Sequence, residues 1–241
     1  MAAYSSATLA SGLVLDARRA VFLPTSRTLT VADLHLGYAW AKRTHGALLP
    51  VIDDDTTDRL TELQLKYQPR RLVVLGDIVQ EALALPALEK LLREFCERLG
   101  SASELIFCLG NHDRHLQRLV RDWQLPVACH HQLTLDGHKL LHGDQLPRLT
   151  EEVPFTLEAS PRVSHLIGHE HPAITLGDGL ASRAKCPAFL VADGLLVLPA
   201  FSAWATGCEF GRQPFLGPLA RAAKFHTAFA CVGPRLLRVP L

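Results

Sequence analysis

The sequence has no Cys-x-x-Cys pair, although six cysteines are scattered along its 241 residues. Without paired spacing a zinc knuckle is not expected. Cys96, Cys108, Cys129, Cys186, Cys208 and Cys231 are read as buried, reduced thiols. No uninterrupted apolar run reaches the roughly 18 residues of a membrane span, so no membrane is expected among its partners. Met1–Ser11 lacks both a basic stretch and a long apolar core. It is therefore not expected to act as a secretory signal, and the expected compartment is cytoplasmic. An excess of charge is missing too: 25 Lys and Arg face 24 Asp and Glu, a formal net charge of +1. That balance leaves no broad electrostatic footprint for nucleic acid or acidic lipid, although a local basic groove is compatible with it. Internal repeats, low-complexity tracts and Gly/Ser linkers are absent. What remains is 48% hydrophobic and 20% charged, enough apolar material for one large α/β domain over residues 1–241.

The order of elements supports that class. Leu13–Leu15 and Ala20–Leu23 read as an opening hairpin, and Thr28–Ala32 and Leu72–Leu75 as strands. Gly37–Pro50 has no clear period and reads as a loop with a helical turn. Asp53–Asp55 reads as the acidic start of an amphipathic helix reaching Tyr67, not as a metal site. Leu85–Leu99, closed by Gly100, reads as a helix, Leu105–Leu109 as a buried strand, and the run from His115 to about Trp123 as a short helix. Strand alternating with helix argues for an α/β layered fold. Thereafter the pattern turns to β: Val127–His130, Gln132–Leu135, His138–Leu141, Val163–Ile167, Ala188–Ala192 and Leu195–Leu198, with turns at Asp136-Gly137 and Asp193-Gly194. A last hairpin is expected around Gly233-Pro234.

Five apolar strands end in the same way, in glycine and side chains that bind metals. They read Val-Ala-Asp33-Leu-His35-Leu-Gly37, Gly76-Asp77, Gly110-Asn111-His112-Asp113, His142-Gly143-Asp144 and Gly168-His169-Glu170-His171. Strand ends are where an α/β sheet collects its chemistry. His169 and His171, two apart, are expected on one face of a strand. Asp33, His35, Asp77, Asn111, His142, His169 and His171 offer carboxylate, imidazole and amide donors suited to Mn²⁺, Fe²⁺ or Zn²⁺. Seven donors exceed one ordinary site, whereas a bridging carboxylate lets them serve two ions. Two ions about 3.5–4 Å apart clamp the attacking and leaving oxygens of an in-line displacement at phosphorus and lower the pKa of a shared water. Each pair of residues alone is a weak signal; the ordered set of five is specific.

The set resembles the motifs of the calcineurin-like metallophosphoesterases, over Val31 to Pro172. That resemblance implies a four-layer αββα sandwich with two mixed β-sheets flanked by helices. It implies that Asp33, His35 and His171 bind one ion and Asn111, His142 and His169 the other, with Asp77 bridging. It implies that His112 is the general acid, oriented by Asp113 or Asp77, and that two divalent ions are the cofactors, Mn first, with Fe or Zn as alternatives. The flanks Val31–Gly37, Gly168–Ala173 and Leu196–Phe201 resemble the ligase-associated DNA-damage-response branch, some of whose members are called endonucleases. Arg43, Gly46 and Pro50 resemble a segment of the same branch. The chain departs from it at Gln80-Glu81-Ala82 and at Gly143-Asp144.

The function expected is a phosphodiester-cleaving enzyme, a nuclease linked to DNA repair, in which activated water attacks phosphorus and His112 protonates the leaving oxygen. The resemblance alone supplies DNA as substrate and ligase- or helicase-type partners. A small phosphodiester such as a cyclic nucleotide, or a phosphomonoester, would use the same ions, and a non-catalytic interaction module is the contrasting class. Arg114 and Arg43 are candidate phosphate contacts, and Trp40 and Trp204 candidate stacking partners for a base, with packing as the plainer role for each tryptophan. His115, His130, His131, His138, His165 and His226 are read as structural.

Overall fold

The computed structural model describes residues 4–48, 55–146, 163–177, 183–205 and 207–241. Pro50, Asp53 and Asp54 lie outside the described residues. The first sheet runs in chain order through β1 (Ser6–Thr8), β2 (Val14–Asp16), β3 (Ala20–Leu23), β4 (Thr28–Ala32), β5 (Arg71–Leu75), β6 (Glu104–Cys108) and β7 (Ala128–His130). Its opening strands are antiparallel, while β4 to β7 are parallel. Parallel neighbours need crossovers. Helices α1 (Tyr38–Thr44), α2 (Thr56–Tyr67), α3 (Pro86–Gly100) and α4 (Leu116–Asp122) fall in those crossovers.

The second sheet holds β8 (Gln132–Leu135), β9 (His138–Leu141), β10 (His165–Ile167), β11 (Pro172–Gly177), β12 (Arg183–Ala192), β13 (Leu195–Val197) and β14 (Cys208–Glu209). Its order is β14-β11-β12-β13-β10-β9-β8. After helix α5 (Pro218–Ala222), β15 (Phe225–Val232) pairs with β12 and with β16 (Arg235–Pro240). Both sheets are mixed, since β10 is parallel to β9 and β13 while β12 is antiparallel to β11, β13 and β15.

Side-chain alternation builds the layers. In β5, Leu72 and Val74 pack toward the helices, whereas Val73 and Leu75 enter the core between the sheets. In β12, Phe189 and Val191 face that inter-sheet core, and Ala188, Leu190 and Ala192 face outward to Leu219 and Ala220 of α5. The result is the expected αββα order. Among the described residues, the helix on the outer face of the second sheet is the five-residue α5.

Most strand boundaries fall within a residue or two of expectation. Four elements lie beyond the sequence pattern: β1, β14 and α5 span only two to five residues, and β11 opens on Pro172 and closes on Gly177. The helical turn expected within Gly37–Pro50 is the seven-residue helix α1, which lacks a side-chain cap and is seated by the burial of Ala41. The cysteines are free thiols; Cys96, Cys108, Cys186 and Cys231 are buried as expected, whereas Cys129 and Cys208 are only partly so.

A buried polar cluster locks the opening hairpin to α2. The Asp16 carboxylate accepts from Arg18 Nε at 2.9 Å, Lys66 Nζ at 2.7 Å and the Tyr67 hydroxyl at 2.8 Å. Burial alone would raise this carboxyl, but the Arg18 and Lys66 hydrogen bonds outweigh it and hold it down at about 2. A depressed acid contributes stability that is present above its unfolded value near 4 and is lost as pH falls toward 2. Asp16→Asn is therefore expected to cost about 3 kcal/mol at pH 7, since it strands two cations, and much less near pH 2. Urea melts at the two pH values check this; an equal loss at both would contradict it.

Candidate metal centre

The crossovers of the first sheet bring Asp33, His35, Asp77 and Asn111 to one end, and the second sheet adds His142, His169 and His171 there. Two groups of donor atoms result, each with all atoms within 4.8 Å of one another: Asp33, His35, Asp77 and His171, and Asp77, His142 and His169. Asp77 belongs to both. Asn111 completes the second group, its Oδ1 lying 3.0 Å from His142 Nε2. Thus the structure brings the seven candidate ligands together, in the two groups that the family resemblance implies.

Backbone strain makes this convergence. Asp33, His35, Asp77, His169 and His171 all have positive φ, between 45° and 68°. Such conformations cost about 1–3 kcal/mol each for residues with a Cβ and concentrate at functional sites. They persist here because the turns are pinned to each other: Asp33 and His35 donate their N–H groups to Gly76 and Asp77 carbonyls. His169 N–H in turn donates to the Asp33 carboxylate. The His-x-His pair is consequently not on a strand face, as its spacing had suggested. It occupies the bend between β10 and β11, where two left-handed residues send His169 toward His142 and His171 toward His35 and Asp33. Between them, Glu170 turns away and accepts from Leu216 and Gly217 N–H at 2.8 and 2.6 Å.

Glycine leaves room for the donors. A Cβ on Gly76, itself at φ +71, would stand 2.1 Å from His142 Nδ1, and one on Gly110 would stand 2.6 Å from Asp77 Oδ1. Gly76→Ala is expected to displace His142 and lower metal affinity at least about 100-fold, the upper end of what misorienting a ligand costs. Calorimetric titration with Mn²⁺ checks this, and wild-type affinity would contradict it.

The donor set suits a cation. Asp33 and Asp77 are buried, and the ion-pair partners facing them are histidines. The His142 Nδ1–H donates to Leu75 O at 3.1 Å, which fixes its tautomer and leaves the Nε2 lone pair for a ligand. That lone pair faces Asn111 Oδ1 at 3.0 Å and His169 Nδ1 at 3.1 Å. Several acceptors aimed at one point are reconciled by a positive ion or by a proton. Burial lowers His142 and His171, yet the Asp33 and Asp77 charges prevail and raise both above the ordinary histidine value. Burial wins at His35, which falls to about 4, and also lowers His169. A raised histidine keeps its proton to higher pH, and a metal must displace it. Binding should therefore release protons at pH 7 and tighten as pH rises. Calorimetry in buffers of different ionisation enthalpy reads that release; none detected would contradict it.

Other expectations fare differently. His112 follows Asn111 in a short 3-10 turn, half-exposed, with Nε2 4.0 Å from Asp77 Oδ2. Its Nδ1 donates to the backbone oxygen of Gln80 at 2.8 Å. Asp113, expected as a partner of His112, does not serve it. Its buried carboxylate accepts from the backbone N–H groups of Gly110, Ile78 and Val79 at 2.9, 3.3 and 3.3 Å and so clamps two strand ends together. Burial pushes Asp113 up to about 7. Arg114 lines a cavity of about 390 Å³ beside Asn111 and His142. Arg43 sits on the exposed side of α1, away from the cavities, where Lys42 takes the inward position. His131, read as structural, lines the same cavity as Arg114. Tyr38, Lys42 and Gln213 line a second cavity of about 550 Å³ next to His35 and His171, and carried no sequence signal. Trp204 lines it too, whereas Trp40 lies on the outside of α1. Of the branch departures, Glu81 pairs with His45 at 3.0 Å and Asp144 lines the smaller cavity.

Residues 26–173 match the family model for calcineurin-like phosphoesterases, a span that includes every residue of the donor set. The chain belongs to the calcineurin-like phosphoesterase family. A crystal structure of the Pseudomonas putida nuclease MPE is similar in fold, with a TM-score of 0.66 and 23% identity, covering 98% of this chain and 100% of that one. No protein of curated function matches. Membership makes the chain a metal-dependent phosphoesterase, and the two donor groups accord with the paired divalent ions of such enzymes. Among the described residues no helix is long and apolar enough to cross a membrane.

Proposed function

We propose that this phosphoesterase hydrolyses phosphodiesters and that its natural substrate is a nucleic-acid strand, DNA first. One observation carries the reading: the donor cluster lines two cavities, of about 390 and 550 Å³, that share Asn111 as a lining residue. A diester has a substituent on either side of phosphorus, and each cavity has room for one, whereas a monoester needs only one. The nuclease activity named for the Pseudomonas putida structure supports the same reading. The branch resemblance extends it to DNA repair beside ligase- or helicase-type enzymes, which co-purification with the tagged protein would test.

Asp33, His35 and His171 would hold one divalent ion, Asn111, His142 and His169 another, and Asp77 both. When bound, such ions, Mn²⁺ first and Fe²⁺ or Zn²⁺ as alternatives, lower the pKa of a shared water and neutralise charge on phosphoryl oxygens. The chain's own residues do the rest. The Gln80 carbonyl keeps the His112 Nδ1 proton in place, so Nε2 is the atom that gains and loses a proton. His112 lines the larger cavity, where Nε2 delivers its proton to the departing oxygen. Arg114 offers a guanidinium to a phosphate oxygen from the smaller cavity.

The test is to strip the protein with chelator, restore Mn²⁺, and compare bis-p-nitrophenyl phosphate with p-nitrophenyl phosphate. Metal-dependent hydrolysis favouring the diester is expected. Preference for the monoester would overturn the reading in favour of a phosphatase. Steep loss of DNA binding with salt, through several phosphate contacts, is expected as well; indifference to salt would point to a small diester.

A further inference from the structure

The geometry points to a base-stacking subsite: the Tyr38–Trp204 pair, with Lys42, takes an unpaired nucleobase on the leaving-group side of the scissile phosphate. This rests on the phosphodiesterase reading above and gives it a specificity element. The two rings stack with centroids 5.5 Å apart and planes 20° from parallel. Both are half-buried, and among the described residues neither belongs to a hydrophobic core cluster. They line the cavity that also receives His35, His171 and His112. Because His112 is the residue proposed to protonate the departing oxygen, the group that leaves is the one beside this ledge. Lys42 Nζ lies 5.6 Å from the Tyr38 ring centroid, so the ledge carries a cation next to a flat apolar surface. That is the combination that binds a base and its phosphate together.

The ledge is held rather than loosely placed. Arg19 donates to the carbonyls of Ala200 and Ser202 at 3.1 and 3.0 Å, and Arg59 donates to that of Phe201 at 2.7 Å while lying 4.2 Å over its ring. The clasped segment is bonded to the turn that carries Asp33, with Phe201 N–H on Ala32 O and Ser202 N–H on Asp33 O. Trp204 N–H then donates to Ser202 Oγ at 3.2 Å. Two arginines from different elements thus fix the tryptophan relative to Asp33. On the other wall, Tyr38 opens α1 three residues after His35. The stack is therefore registered to the donor cluster from both sides.

The experiment compares wild type, Trp204→Ala and Trp204→Phe on thymidylyl-thymidine, on uridylyl-uridine and on the thymidine dinucleotide whose bases are replaced by hydrogen. Trp204→Ala is expected to lower kcat/KM for a base-bearing dinucleotide about tenfold, mainly through KM, with Trp204→Phe restoring most of it. The loss for the base-free compound should be several-fold smaller. The more affected of the thymidine and uridine substrates names the nucleic acid. Equal losses with and without bases would show a merely structural role and overturn the proposal. Fluorescence gives a readout independent of turnover: thymidine 3′,5′-bisphosphate should quench the wild type more than Trp204→Phe. If no dinucleotide is cleaved but this quenching difference persists, the ledge stands and the phosphodiesterase reading fails; identical quenching in both proteins overturns the ledge itself.

Discussion

Asp77→Ala should lose both metal ions and the hydrolytic rate together. Asp77 belongs to both donor groups, with Oδ1 3.4 Å from His142 Nε2 and Oδ2 3.8 Å from His35 Nε2. Every other donor serves one group, so this is the substitution that removes a ligand from each at once. Its backbone also anchors the neighbouring turn, because the Asp77 carbonyl accepts from His35 N–H. Loss of the charge stabilisation that divalent ions provide is worth several kcal/mol, on the order of 10³-fold or more in kcat/KM. Metal content per chain and kcat/KM, measured on the same preparation, check the prediction. Full occupancy with a wild-type rate would remove Asp77 from its bridging role.

His112→Ala should show the opposite separation: metal content kept, turnover lost. His112 lies outside both donor groups, half-exposed in the cavity, and is held by a backbone carbonyl rather than by a ligand. Removing a general acid costs about 10² to 10⁴-fold. The loss should be greatest for an alkoxide leaving group, which needs a proton, and least for p-nitrophenolate, which does not. A uniform loss across leaving groups would mean that His112 orients or binds rather than donates a proton.

Much of this was legible in the sequence, for physical reasons. The strands β4, β5, β6 and β9 are apolar runs ended by glycine or by a donor side chain, and period and punctuation mark both edges. The seven donors were legible because each sits just past such a strand. What could not be seen was the backbone that makes them converge. Nothing in Asp33-Leu-His35 or His169-Glu-His171 announces four residues at positive φ, a conformation that only the packed turns enforce. Reading His169 and His171 by strand alternation therefore gave the wrong geometry, although the fold brings both into the donor cluster. Asp113 misled in a similar way. A carboxylate next to a candidate acid suggests a partner, yet three backbone N–H groups, visible only in the fold, had claimed it. Tyr38, Lys42 and the Arg19–Arg59 clasp have no local pattern, since their contacts span up to 183 residues of chain.

The most direct test is a titration of chelator-stripped protein with Mn²⁺, following hydrolysis of bis-p-nitrophenyl phosphate against ions bound per chain. No turnover is expected in the stripped protein, and activity should rise to a plateau as two ions bind. Turnover that survives complete stripping, or a plateau reached with a single ion, would contradict the two-ion centre built on Asp77.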